Sequence, residues 1–246
     1  MDRLIYTAFT GLNSSMTRQR VIAANMANAQ TIGYRADEVT FTPVTLKSNS
    51  LEVRAMNDTE VRGANMAPGS VTQTGKPLDI AMAGDVMLAV QAPDGAEAYT
   101  RRGDLGISPA GLLVNGDGAP VIGESGPITI PPGRDVTVAP DGQVLLADPA
   151  APGTPPTRID RVKLASPAGT RIEKGLDNLF RVYGGGVLPN DDEGKVMVGA
   201  LEQSNVNPSD VLVQMVEAQR LFDIRTKLVA TARELDEGSA QLMKLS

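Results

Sequence analysis

Few residues in this chain are typed for chemistry. Asp79, in the run Leu78-Asp79-Ile80-Ala81, stands where a carboxylate at a strand end could act as a general base. Asn190 to Gly194 reads Asn-Asp-Asp-Glu-Gly and gathers carboxylates at Asp191, Asp192 and Glu193. Base chemistry needs a second group to relay the proton, and no other carboxylate is spaced to work with Asp79, which reads instead as a turn or strand-start hydrogen-bonder. The 190–194 carboxylates are consecutive, whereas a calcium loop alternates its ligands, so that stretch reads as a solvated turn. With 0 His and 0 Cys, the Ser-His-acid and Cys-His nucleophiles, thiolate metal sites and disulfides are all excluded. No phosphate-binding loop, dinucleotide glycine fingerprint or Ser-x-x-Lys pair occurs. The residues therefore argue against an enzyme and imply no cofactor, no metal and no small-molecule substrate.

The bulk composition narrows the partners. A net charge of −6 over 246 residues repels phosphate backbones and makes nucleic acid a poor ligand. No apolar run reaches the length of a membrane span, and the opening Met1-Asp2-Arg3-Leu4-Ile5-Tyr6-Thr7 lacks the apolar core and cleavage site of a secretory leader, so by these rules alone a cytoplasmic chain is expected. With 25 Gly and 17 Pro against 3% aromatic residues, many turns and short strands are expected.

Two helices should frame the chain. From Leu4 to Met26 the apolar residues Leu4, Ile5, Ala8, Phe9, Leu12, Met16, Ile22 and Met26 share one broad helical face. Counted in alternating fours and threes, Ile5, Ala8, Leu12, Ser15, Gln19, Ile22 and Met26 form a seam with small and polar interruptions. At the far end, Asn207 suits an N-cap, Pro208 the first helical position and Asp210 the first turn. Within that helix Leu221, Leu228, Leu235 and Leu242 recur at heptad spacing, while Val211, Met215, Phe222 and Val229 make a second stripe. The N-terminal helix can cover one stripe. The other needs a second subunit, or the middle of the chain folded back over it.

Between the helices, Gln91 to Tyr99 and Val138 to Leu146 each set Pro-Asp-Gly between apolar runs, the pattern of a β-hairpin. Strands are expected near 78–83, 87–91, 112–114, 128–130, 136–138, 144–146, 161–164 and 179–183. The fold class that follows is α+β: long N- and C-terminal helices packed as a coiled-coil-like pair, with a central antiparallel β domain. The expected divisions are 1–35 for the N-terminal helix and the motif that closes it, 36–64 for an extended linker, 65–200 for the β-rich domain and 201–246 for the C-terminal helix.

Three stretches resemble a known family. Asn25 to Arg35, NMANAQTIGYR, is similar to the N-terminal motif of the flagellar rod, hook and hook-associated axial proteins, matching at Asn25, Asn28, Thr31, Gly33, Tyr34 and Arg35. The stretch 201–227 resembles that family's C-terminal element, with Ser204, Asn205, Val206 and Asn207 at the helix start and Gln219, Arg220 and Phe222 in its body. The stretches 69–84 and 98–121 resemble the central region of rod members. The opening Met1 to Ala8 is most like that of proximal-rod members rather than distal-rod ones. Met26 and Ala27 replace the commoner phrasing mildly, and Phe222 stands where Tyr or Ala often follows Gln-Arg.

The resemblance implies a structural subunit of the hollow basal-body rod, which transmits torque and lets exported subunits pass. It implies partners in copies of itself, other rod proteins and the flagellar type III export apparatus, and a periplasmic location reached without a cleaved leader. The other readings are a distal-rod paralogue or a non-flagellar binding module on a coiled-coil stem. The residues expected at the assembly interface are Ile5, Leu12, Ile22, Asn25, Asn28, Thr31, Gly33, Tyr34 and Arg35, with Asn205, Asn207, Met215, Gln219, Leu221, Phe222, Leu228, Leu235 and Leu242. In this reading Asn28 leaves the first helix in the left-handed conformation, Gly33 turns the chain, and Tyr34 and Arg35 hold the crossing against a neighbour; the alternative is an ordinary helix end and loop.

Overall fold

Helix α1 (Asp2–Ala27) and helix α2 (Pro208–Lys244) form one unit with a long hairpin of strands β1 (Asp37–Lys47) and β2 (Glu52–Ala64). The computed structural model describes the backbone of residues 2–47, 52–149 and 154–244, and the side chains of 9–39, 63–149, 154–231 and 233–234. The second unit comprises Gln30–Ala36 and Met66–Asn205. Among the described residues no helix is long and apolar enough to cross a membrane.

The α+β character is present, but the coiled-coil-like pair is not. Among the described residues the helices are one at each end of the chain, and they meet without the sustained apolar seam that knobs-into-holes packing requires. Two features of the first unit account for this. The α1 face toward α2 is polar and small: Ser14 and Ser15 are buried, and Arg225 of α2 donates to the Gly11 carbonyl and to Ser15 Oγ. Moreover, α1 also packs against the β1–β2 hairpin. On α2 the stripe that turns inward is Val211, Met215, Phe222 and Val229, whereas Leu228 is 54% exposed. Of the heptad leucines, Leu228 therefore faces away and Leu221 is half-buried, while the Leu235 and Leu242 side chains lie outside the described residues.

Within 36–64, where an extended linker is expected, residues 37–47 and 52–64 pair with each other as strands β1 and β2, in register from Val39 opposite Val61 to Leu46 opposite Arg54.

The second unit is built from short antiparallel strands. They are β3 (Val71–Gln73), β4 (Ile80–Met82), β5 (Met87–Gln91), β6 (Glu97–Thr100), β7 (Leu105–Ile107), β8 (Leu113–Asn115) and β9 (Asp135–Val138). The remainder are β10 (Gln143–Ala147), β11 (Thr157–Arg161), β12 (Leu164–Ala165), β13 (Ile172–Lys174), β14 (Phe180–Val182), β15 (Val196–Val198) and β16 (Ala200–Glu202). The largest sheet runs β12-β5-β6-β14-β13, a second runs β11-β10-β9, and β15-β4, β16-β3 and β7-β8 are pairs. Ile80, Leu88, Val90, Leu113, Val121, Val144 and Leu164 form its core.

Both Pro-Asp-Gly stretches make the hairpins their pattern predicts. Gly95 and Gly142 sit at φ of 83° and 82°, and the preceding Asp94 and Asp141 accept from the Ala96 and Gln143 N–H groups at 3.0 and 3.1 Å. The strands β5–β6 and β9–β10 follow from these two turns. The pairs β16–β3 and β15–β4 join residues far apart in the chain and close the unit around the segment that carries the junction described next.

Candidate assembly junction

The motif that closes α1 splits into a part that stays with the helix and a part that does not. Asn28 ends the helix by capping: its N–H and its Nδ2 both donate to the Ala24 carbonyl, at 3.1 and 2.9 Å. It does not take the left-handed conformation, which among described non-glycine residues is adopted at Asn178. Asn25 faces the hairpin. Its Nδ2 donates to the Asp37 carbonyl at 3.0 Å and its Oδ1 accepts the Asp37 N–H at 2.8 Å, so one side-chain amide engages both polar groups of a strand residue.

Residues 30–36 belong to the sheet-rich unit. Gly33 turns the chain at φ 67°, and its N–H donates to the Glu202 backbone carbonyl at 2.8 Å. A Cβ at this position would stand 2.4 Å from the Arg101 carbonyl carbon, so both the dihedral and the close approach require glycine. Tyr34 is buried, with Lys174 Nζ 3.6 Å from its ring centroid, and the same ammonium donates to the Arg35 carbonyl at 2.8 Å.

Beneath this turn lies a buried ionic cluster. Glu202, 1% exposed, sits between Arg35 and Arg101, which are 2% and 3% exposed. Its Oε1 accepts from Arg35 Nη2 at 2.7 Å and from the Gly69 N–H at 2.9 Å. Its Oε2 accepts from Arg101 Nε at 2.8 Å and Nη2 at 2.6 Å. The remaining Arg101 donors reach the carbonyls of Gly84, Val86 and Met82 at 2.7, 2.6 and 3.0 Å, so every N–H of that guanidinium is used. Arg35 is different: its Nε and Nη1 are buried without a partner. Burial pulls the Arg35 guanidinium below its ordinary pKa, the neighbouring Glu202 carboxylate opposes that, and Arg101 adds to it.

Asn205 completes the junction on the C-terminal side. Its Oδ1 accepts the Ala36 N–H at 2.8 Å, its Nδ2 donates to the Ala67 carbonyl at 2.9 Å, and its N–H donates to the Tyr34 carbonyl at 3.3 Å. Asn207 then caps α2, with Oδ1 accepting the Ser209 N–H at 3.0 Å, as its spacing before Pro208 predicts.

The structure thus brings Gly33, Tyr34, Arg35 and Asn205 together in one unit, with Thr31 accepting the Tyr34 N–H at 3.2 Å. In the other unit Leu12, Met215, Leu221 and Phe222 are half-buried, Ile22 is buried, and Asn207, Gln219 and Leu228 are exposed. The Ile5 side chain lies outside the described residues. Sequence reasoning passed over Glu202, Arg101 and Lys174, the partners that hold the motif in place. A lone acid between apolar Leu201 and the helix start was the available signal.

The cluster can position backbone but has no exposed nucleophile or relay. The two acidic candidates behave as turns: Asp191 accepts the Glu193 N–H at 3.0 Å, and Asp79, just before β4, donates its N–H to the Lys76 carbonyl and bridges to Asp104. Among the described residues no group of acidic side chains is placed to hold a metal ion.

Residues 81–146 match the flagellar hook protein FlgE/F/G D1 domain, and residues 197–242 match the flagellar basal body rod FlgEFG protein C-terminal model. Over 252 aligned positions, covering 100% of both chains, the sequence is 37% identical to the flagellar basal-body rod protein FlgF of Salmonella typhimurium. It is 36% identical over the same span to FlgF of Escherichia coli. Against the flagellar basal-body rod protein FlgG of Bacillus subtilis the identity is 29%, over 96% of this chain and 97% of the other. Because the matched models begin and end on the sheet-rich unit and α2, and the FlgF similarity runs the whole length through the junction, the chain belongs to the flagellar basal-body rod protein family.

Proposed function

We propose that this structural rod subunit occupies the proximal rod, where it assembles through its terminal helices with copies of itself and with other rod proteins into the hollow shaft that carries torque. The full-length likeness to FlgF supports the proximal assignment, and the 29% identity to FlgG makes the distal-rod reading the weaker one. The observation that carries assembly is the outward face of α2: Leu212, Val213, Val216, Ile224 and Leu228 are all exposed within an arc of about 160° on the helical wheel. A monomer rarely leaves such a face in water.

In this reading residues 1–35 and 201–246 are the assembling ends, 36–64 the connection and 65–200 the body. Asn25, Asn28 and Asn205 set the path of the backbone between them. The chain reaches the periplasm through the flagellar type III export apparatus.

The test is replacement of Ile224 and Leu228 by Asp in the full chain. The variant should remain folded, fail to enter basal bodies and leave cells non-motile; normal swimming would reject the role given to α2. Expression in cells lacking FlgF should restore swimming, and expression in cells lacking FlgG should not.

A further inference from the structure

Gln30–Ala36 is a strap that no helix or strand supports: α1 has ended at Ala27 and β1 begins at Asp37. The chain on either side, Met1–Ala29 and Asp37–Asn65, belongs to the other unit, so the strap is seated on the sheet-rich unit by point contacts. The Gly33 N–H donates to the Glu202 carbonyl at 2.8 Å, the Ala36 N–H to Asn205 Oδ1 at 2.8 Å, and the Asn205 N–H to the Tyr34 carbonyl at 3.3 Å. Lys174 Nζ stands 3.6 Å from the Tyr34 ring centroid and donates to the Arg35 carbonyl at 2.8 Å.

Two features weaken this seating from within. Arg35 Nε and Nη1 are buried without a partner, and both donors regain water if the strap lifts. Arg35 also shares the Glu202 carboxylate with Arg101, so two like charges oppose each other across it. Lifting further returns the backbone entropy spent on ordering the segment. The seat itself does not depend on the strap. With Arg35 withdrawn, Glu202 still accepts from Arg101 Nε and Nη2 and from the Gly69 N–H, and Arg101 still reaches the carbonyls of Gly84, Val86 and Met82.

We infer that Gln30–Ala36 is a latch with two states, which lifts as one piece from the Glu202 and Arg101 seat while the rest of the sheet-rich unit stays folded. Tyr34 and Arg35 are 3% and 2% exposed, so they can meet another chain only in the lifted state. The latch goes beyond the rod assignment, because it uses no residue of the terminal helices.

The test is hydrogen exchange, amide by amide, on the purified full chain without urea and in low urea. Gly33, Ala36 and Asn205 report the latch. Leu113 and Val121, each 0% exposed and donating to the Ile128 and Leu113 carbonyls at 3.0 and 2.8 Å, report the core. Corrected for intrinsic rates, the latch amides should exchange together and at least about a hundredfold faster than the core. Low urea should speed the core and leave the latch unmoved, because lifting a strap exposes little surface. Lys174→Met, which removes the ammonium over Tyr34 and its bond to Arg35, should lower latch protection about tenfold and leave Leu113 and Val121 unchanged. Latch amides as protected as the core, a urea slope shared with it, unrelated rates among the latch amides, or a Lys174→Met effect that is absent or spread equally over the core overturns the inference. Absence of the chain from basal bodies bears on the rod assignment alone, since exchange is read on the free chain.

Discussion

Replacing Glu202 and replacing Arg35 should have very different consequences, although the two side chains form one ion pair at 2.7 Å. Glu202→Gln keeps an oxygen for the Gly69 N–H but removes the negative charge that pairs with two buried guanidiniums. Breaking a buried cluster in that way costs about 3–5 kcal/mol. Arg35→Met also breaks the pair, yet Glu202 keeps both bonds from Arg101, and two buried N–H donors that had no partner disappear. Each orphan donor costs about 1–3 kcal/mol, so the loss and the relief nearly cancel and a net change within about 1 kcal/mol is expected. Urea unfolding of the full chain, followed by tyrosine fluorescence, reports on this unit because Tyr34 and Tyr99 are buried in it. With a slope of about 2 kcal/mol/M, Glu202→Gln should lower the midpoint by about 1.5–2.5 M and Arg35→Met by less than about 0.5 M. An Arg35→Met loss as large as that of Glu202→Gln would refute the accounting of unpaired donors.

Further outcomes follow from the packing. Gly33→Ala must place a methyl 2.4 Å from Arg101 backbone at φ 67°, so it should cost at least about 2 kcal/mol and strip hydrogen-exchange protection from the Asn205 amide, which donates to Tyr34. Tyr99 donates to Glu97 at 2.6 Å and accepts the Leu188 N–H at 2.5 Å, so Tyr99→Phe leaves a buried amide unpaired and should cost about 1–3 kcal/mol by thermal or urea unfolding. Burial holds the Tyr99 phenol above its ordinary pKa; its stabilisation is complete below the unfolded value of about 10 and is lost as pH rises beyond it, so phenolate absorbance should show one of 4 tyrosines ionising late and Phe at this position should flatten the alkaline loss. Finally, Asn207→Ala removes the cap of α2 and should lower stability of that helix by about 1 kcal/mol, read as reduced helical circular dichroism on heating.

What could be read from the residues was local. The cap at Asn207 and the two Pro-Asp-Gly hairpins depend on neighbours within a few positions, and the structure places all three as the spacing predicts. The resemblance carried by Asn25 to Arg35 and by the C-terminal element likewise led to the right family. The coiled-coil pairing failed for a reason the pattern could not resolve. Two apolar stripes on α2 are equally legible, and only the small face of α1 at Gly11, Ser14 and Ser15 decides which one turns inward. The partners of the closing motif were hidden for a different reason. Glu202 and Arg101 lie 167 and 66 residues beyond Arg35 along the chain, and no local period links them. Strand pairings such as β3 with β16 are unreadable on the same ground.

The carboxylate of Glu202 accepts from residues 35, 69 and 101, yet it stands near the end of the polypeptide. A nascent chain emerges with its amino end leading, so the first crossing is made long before its counter-charge exists. Until residue 202 appears, the turn at Gly33 has no seat and both guanidiniums must stay hydrated. The native crossing therefore forms late, and a chain truncated before that position keeps Lys174 against Tyr34 and Arg35 but lacks the carboxylate that joins the two guanidiniums.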